Sequence, residues 1–158
     1  MTEFESRRKG TKTIAWVVLI TLVIGIGGGW LIAALTRSSS STPNEVYVTT
    51  ANGGSLVGGL LTLKAVGNSV VKVDTATQAA VPSDSAEFFK AWNGTFGSDP
   101  RSAVVTATTA DGDVQLVLKV ANATWSDIGY VLQFDATVVS GPKEARDLSD
   151  VTLVLDAD

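Results

Sequence analysis

The sequence predicts an all-β domain of immunoglobulin-like sandwich form with one short inserted helix, preceded by a single transmembrane α-helix. Three observations carry that expectation. An uncharged apolar run, Ile14 to Leu35, stands near the N-terminus. Beyond it, apolar residues recur at period two between turn signals. Only one later stretch, near Ser85, carries the cap and spacing signals of a soluble helix.

The domain organisation follows in chain order: a basic tail over 1–13, the membrane helix over 14–36, a flexible linker over 37–45 and an extracytoplasmic β-domain over 46–158. Apolar residues make up 45% of the 158-residue chain, and the excess sits in the run from Ile14 to Leu35. That run is long enough to cross hydrocarbon as a helix, which takes about 20 residues. A lone segment in lipid must pair its own backbone, and only a helix does so. Trp16 and Trp30 lie near its two ends, where indole rings favour the membrane interface.

Arg7, Arg8, Lys9 and Lys12 flank one side and Arg37 stands alone on the other, so the positive-inside bias puts the N-terminus in the cytoplasm. The C-terminal domain would then stand on the extracytoplasmic side of the membrane. A cleaved signal peptide is the competing reading. Its apolar core spans about 7–15 residues before small residues, and here the core is longer and Leu35 spoils the site after Ala33-Ala34. Gly25, Gly29 and Ala33 are spaced by four, share one helix face and would let a second helix approach closely. Arg37 to Asn44 is polar and flexible.

In the β-domain, Leu56 to Val66 places Leu61, Leu63 and Ala65 on one face and Thr62 and Lys64 on the other. After a Gly67-Asn68 turn, Val71 and Val73 alternate with Lys72 and Asp74 over Ser69 to Thr75. The helix is expected over Ser85 to Asn93: Asp84 caps it, Glu87 stands three residues on, and Gly94 provides a stop. Phe88 and Trp92, four apart, would share its buried face. Ala103 to Thr109 and Val114 to Val120 flank Ala110-Asp111-Gly112-Asp113, an Asp-Gly hairpin signal that calls for positive φ at both central residues. Tyr130, Leu132, Phe134, Ala136 and Val138 alternate cleanly, and Val151 to Leu155 reads as a short closing strand. Six to eight strands with one helix suggest the sandwich.

The stretch Gly54 to Val66, then Glu87-Phe-Phe-Lys-Ala-Trp92, Phe96-Gly-Ser-Asp-Pro100 and Ala103-Val104, resembles a group of uncharacterised bacterial secreted or periplasmic β-domain proteins. Their pattern is LTLxxV, FFxxW, FxxDPPNA, an acidic-glycine hairpin and a closing strand ending in aspartate. The likeness covers most of Gly54 to Asp156 and departs at Arg101 and Ser102, where the pattern has proline and asparagine. It implies an extracytoplasmic β-domain and brings no catalytic residue.

Composition excludes much chemistry. The chain has no cysteine and no histidine, which removes disulfides, thiol nucleophiles, imidazole bases and most zinc and haem sites. From Arg37 onward fourteen acidic side chains outnumber eight basic ones, so nucleic acid is not an expected partner. Asp99, Asp111, Asp113 and Asp127 are the best oxygen ligands for a hard cation, but their spacing matches no EF-hand loop, and aspartates more commonly build turns. Ser38 to Ser41 have no base nearby, and Gly25 to Gly29 lacks the strand and lysine of a phosphate loop. Asn93-Gly94-Thr95 and Asn122-Ala123-Thr124 fit the glycosylation tripeptide. Trp125, Ile128 and Tyr130 fit either a contact surface or a strand entrance.

No catalytic, cofactor or metal residue emerges. The expectation is a non-catalytic, single-pass accessory subunit of a larger membrane complex, for example a photosynthetic or respiratory one. Its partners would be integral membrane proteins, met through the helix and the β-domain, and the lipid bilayer. A membrane-tethered module binding carbohydrate or peptide is the alternative.

Overall fold

The computed structural model describes residues 44–157. The expected tail and membrane helix, with Trp16, Gly25, Gly29, Trp30 and Ala33, lie outside the described residues, as does nearly all of the linker. Among the described residues no helix is long and apolar enough to cross a membrane.

The elements run β1 (Glu45–Val57), β2 (Leu60–Val66), β3 (Ser69–Asp74), β4 (Ala80–Asp84), α1 (Ser85–Phe96), β5 (Arg101–Thr109), β6 (Gly112–Ser126), β7 (Val131–Ser140) and β8 (Ala145–Asp156). The all-β class with one short helix is therefore as expected. The strands form a single antiparallel sheet in the order β2-β7-β6-β5-β8-β1-β3-β4, and a further β1–β2 pairing closes it on itself. Six strands thus make a ring, β1-β2-β7-β6-β5-β8, with β3 and β4 continuing the sheet outside it. Closure removes free edges, the sites where strands recruit other chains. The remaining outer edge is β4, which is only five residues long and holds Pro82, a residue confined to edges because it donates no ladder bond.

β1 makes the closure possible because it changes neighbour partway. Glu45 to Val48 pair with β3, while Ala51 to Val57 pair with β2. Its opposite edge stays on β8 from Val46 to Leu56. The run Leu56 to Val66, continuous in its hydrophobicity, is instead split into two strands by Gly58-Gly59. Both residues have positive φ, 60° and 77°, the geometry of a tight two-residue hairpin. Gly54 answers a different demand: a Cβ there would lie 2.6 Å from the Thr62 carbonyl oxygen. Ala65 departs from its expected inward face. It adopts φ 51°, sits exposed, and passes the buried position to Val66.

Inside the ring, Leu56, Leu61, Leu63, Leu116, Leu118, Leu132, Phe134, Leu153 and Leu155 are essentially free of solvent contact. The alternation read over β7 holds for Leu132, Phe134 and Ala136. A second, smaller cluster lies on the sheet's other face. There Val71 pairs with Val48, Val48 with Val154, Val154 with Val104, and Val104 with Val117, an apolar row across five strands.

Asp84 caps α1 as its spacing predicts, accepting the Glu87 backbone N–H at 3.0 Å. The helix runs through Gly94, however, and ends at Gly97, which has φ 64° and donates its N–H to the Asn93 carbonyl at 3.0 Å. Glycine stops a helix only where the following turn uses its left-handed conformation; Gly94 stays helical. Phe89 and Trp92 are the buried aromatics, and Phe88 is half-buried against Tyr47. The hairpin after β5 also differs in detail. Ala110 and Asp111 form the turn without positive φ, and Gly112 alone carries it, at 117°. That is the arrangement of an ordinary turn followed by a glycine bulge.

Candidate functional site

Neighbouring ring strands alternate in direction, so strands three apart are antiparallel, and β1 begins on the rim where β6 ends. The two rims are the places where side chains converge.

At the first rim, α1 lies across the open end. Trp92 meets Phe134 edge-on with centroids 5.3 Å apart, and Phe89 meets the same ring at 6.0 Å. Phe89 also stacks on Trp125, at 5.9 Å and 12° between planes. Asn93 donates to the Ala123 carbonyl at 2.9 Å, and Arg101 lies over the Phe96 ring at 4.8 Å. The β6–β7 turn closes this rim on the far wall. Asp127 there accepts from Lys90 Nζ at 2.8 Å and from Trp125 Nε1 at 2.8 Å. Those two contacts, the lysine first, hold its carboxyl below the usual aspartate range. The turn is also tied to β2, since Ala65 N–H donates to the Gly129 carbonyl and Val66 N–H to that of Tyr130. Beside the exposed Asp127, this turn presents two large apolar side chains outward: Ile128 is 88% exposed and Tyr130 is 50% exposed. Trp125 is half-buried against the core, whereas Ile128 and Tyr130 are exposed and are not core residues.

At the second rim the β5–β6 turn and the β7–β8 connection bound an open cleft of about 650 Å³, lined among others by Asp111, Asp113, Glu144, Arg146 and Asp147. Both aspartates sit within the β5–β6 hairpin's own hydrogen bonds, Asp113 through its carboxylate and Asp111 through its backbone. Asp113 accepts from Thr108 Oγ1 at 3.1 Å, and the Asp111 N–H donates to Thr109 Oγ1 at 3.3 Å. Arg146 approaches Glu144 at 3.8 Å, both side chains more than half exposed.

The four aspartates singled out as oxygen ligands do not come together. Asp111 and Asp113 line the cleft, Asp99 lies in the loop after α1, and Asp127 is engaged at the opposite rim. Among the described residues no group of three or more acidic, histidine or cysteine side chains is placed to hold a metal ion. Asn93 and Asn122 both turn their amides onto protein acceptors, the Ala123 carbonyl and the Asp135 carboxylate. Missed by the sequence reading was the clamp on the β6–β7 turn. Its signal was an aspartate two residues after a tryptophan, with a lysine on the helix that packs there. Compared with the known protein families, the curated proteins and the solved structures, the chain matches none.

Proposed function

We propose that the chain is a non-catalytic, single-pass accessory subunit of a larger membrane complex in the bacterial inner membrane, its β-domain covering the extracytoplasmic face of integral membrane partners. In this reading the N-terminus is cytoplasmic, Ile14 to Leu35 spans the bilayer, and Gly25, Gly29 and Ala33 form the face on which a partner helix packs. The domain serves as a rigid cap, an immunoglobulin-sized sandwich in the sense that opposite walls of the ring face each other across one core.

The observation that carries the reading is the spacing between the uncharged run and the first strand. Only residues 36–43 separate Leu35 from the described domain, a reach of at most about 29 Å when fully extended. A domain held so near a membrane is placed to cover what lies beside its anchor. Mild detergent extraction from native membranes followed by size-exclusion chromatography tests it. The expected result is co-elution with other membrane proteins; a clean monomer would count against it. The cleft beside Asp111 and Arg146 favours a second reading, a tethered binding module for carbohydrate or peptide, in which the isolated segment Pro43–Asp158 retains ligand affinity.

A further inference from the structure

We infer that the β6–β7 turn, through Ile128 and Tyr130, is a second membrane contact that touches the bilayer surface beside the anchor. The inference rests on the anchored reading above and adds a site to it. Its starting point is the rim geometry. β1 starts, and β6 ends, at the same rim, so the chain leaves toward its N-terminus on the wall opposite the Ile128 turn. β6 has 15 residues, which puts the cleft rim roughly 50 Å away along the strand. The eight residues 36–43 reach at most about 29 Å. With the run in the bilayer, the rim bearing α1 and the β6–β7 turn is the one held near lipid.

The turn is built to present apolar groups there. Ile128 is the most exposed large apolar side chain among the described residues, and Tyr130 follows it on the same turn. Tyr130 has φ 50°, a conformation rare for a bulky residue and retained only where surrounding bonds impose it. The imposing bonds are the two β2 N–H groups on the Gly129 and Tyr130 carbonyls and the Lys90–Asp127 pair. That pair offsets the charges on the turn itself, and the exposed Lys64 stands on β2 beside Ala65. An isoleucine beside a tyrosine suits the boundary between headgroups and acyl chains, where an aromatic ring keeps its hydroxyl wet. The outer face of α1 carries Asp84, Glu87 and Lys90, so the apolar contact is confined to the turn. The ligand chemistry committed to is the uncharged lipid interface, not an anionic headgroup.

The chain lacks cysteine, so a single introduced thiol can be labelled uniquely. In the full chain, reconstituted in phosphatidylcholine vesicles, Ser126→Cys carries an environment-sensitive fluorophore next to the tip, and Ala110→Cys carries it at the far rim. Lipids bearing a shallow spin-label quencher are then added. At least twofold stronger quenching at position 126 than at 110 is expected, and Ile128→Ser in the labelled Ser126→Cys background should abolish the difference. Equal quenching at both positions, in a chain that alkaline carbonate fails to extract, overturns the contact while leaving the anchor standing. A chain that carbonate releases overturns both. Because Ile128 is nearly fully exposed, its replacement leaves the fold intact, which an unchanged thermal midpoint verifies.

Discussion

At the helix rim, the end of the ring is filled by side chains: Trp92 and Phe89 stand on Phe134, and Trp125 stacks behind them. At the cleft rim, the end of the ring is left to the Gly58-Gly59 turn, the connection after β7 and the Ala110-Asp111 turn, where Thr109 bonds the turn's own backbone. The strands between are common to both rims, so the contrast isolates the contribution of the inserted helix. One rim is a continuation of the core, and the other is a set of loops on which, glycines apart, substitution is cheap.

The sharpest test of that contrast is Trp92→Ala. It empties the largest fully buried side chain and should cost about 3–5 kcal/mol, read as a lower urea midpoint. Asp111→Asn at the other rim should stay within about 0.5 kcal/mol; a comparable loss there would erase the distinction. Asp84→Ala comes next, removing the cap on the Glu87 N–H at a cost of about 0.5–2 kcal/mol. Gly94→Ala should act in the opposite direction. A Cβ there meets nothing within 4 Å, so relief of glycine's entropy should raise stability by about 0.5–1 kcal/mol.

The smallest effect expected is in acid. The carboxyl of Asp127 is held below its usual value of 3.8, so its contribution is present above that pH and lost as pH falls through the lower folded value. Asp127→Asn should therefore leave the wild type with little advantage once pH has fallen through that lowered value, while a small one persists at neutrality. Denaturation midpoints taken across that range check it, and an advantage that grows in acid would have the wrong sign.

Local signals were legible and closure was not. Asp84 and Glu87 announced the helix, and the alternation through Leu132, Phe134 and Ala136 announced β7, because each depends on residues a few positions apart. The meeting of β1 with β2 on one edge and β8 on the other joins Gly54 to both Leu63 and Leu148, and no periodicity records a partner so distant in sequence. The closing strand expected over Val151 to Leu155 begins at Ala145. Asp147 and Asp150 there have φ 53° and 49°, which breaks the alternation that marks a strand. Phe89 joins Trp92 as a fully buried aromatic, while Phe88 is half-buried against Tyr47 and Phe96. Of the candidate site residues, Asp111 and Asp113 were found lining one cleft, whereas Asp127 proved to be a turn clamp, a role fixed by Lys90, which lies 37 positions earlier.

The sharing of β1 has a mechanical consequence. A pull transmitted through Asn44 enters the domain along β1, which is bonded to β8 on one edge and to β3 and β2 in succession on the other. When it is directed along β1 and resisted by the body of the ring, such a load is borne by both ladders in shear, many bonds at once, instead of peeling them one after another. Traction arriving from the N-terminal side thus meets the domain where it is best able to bear strain.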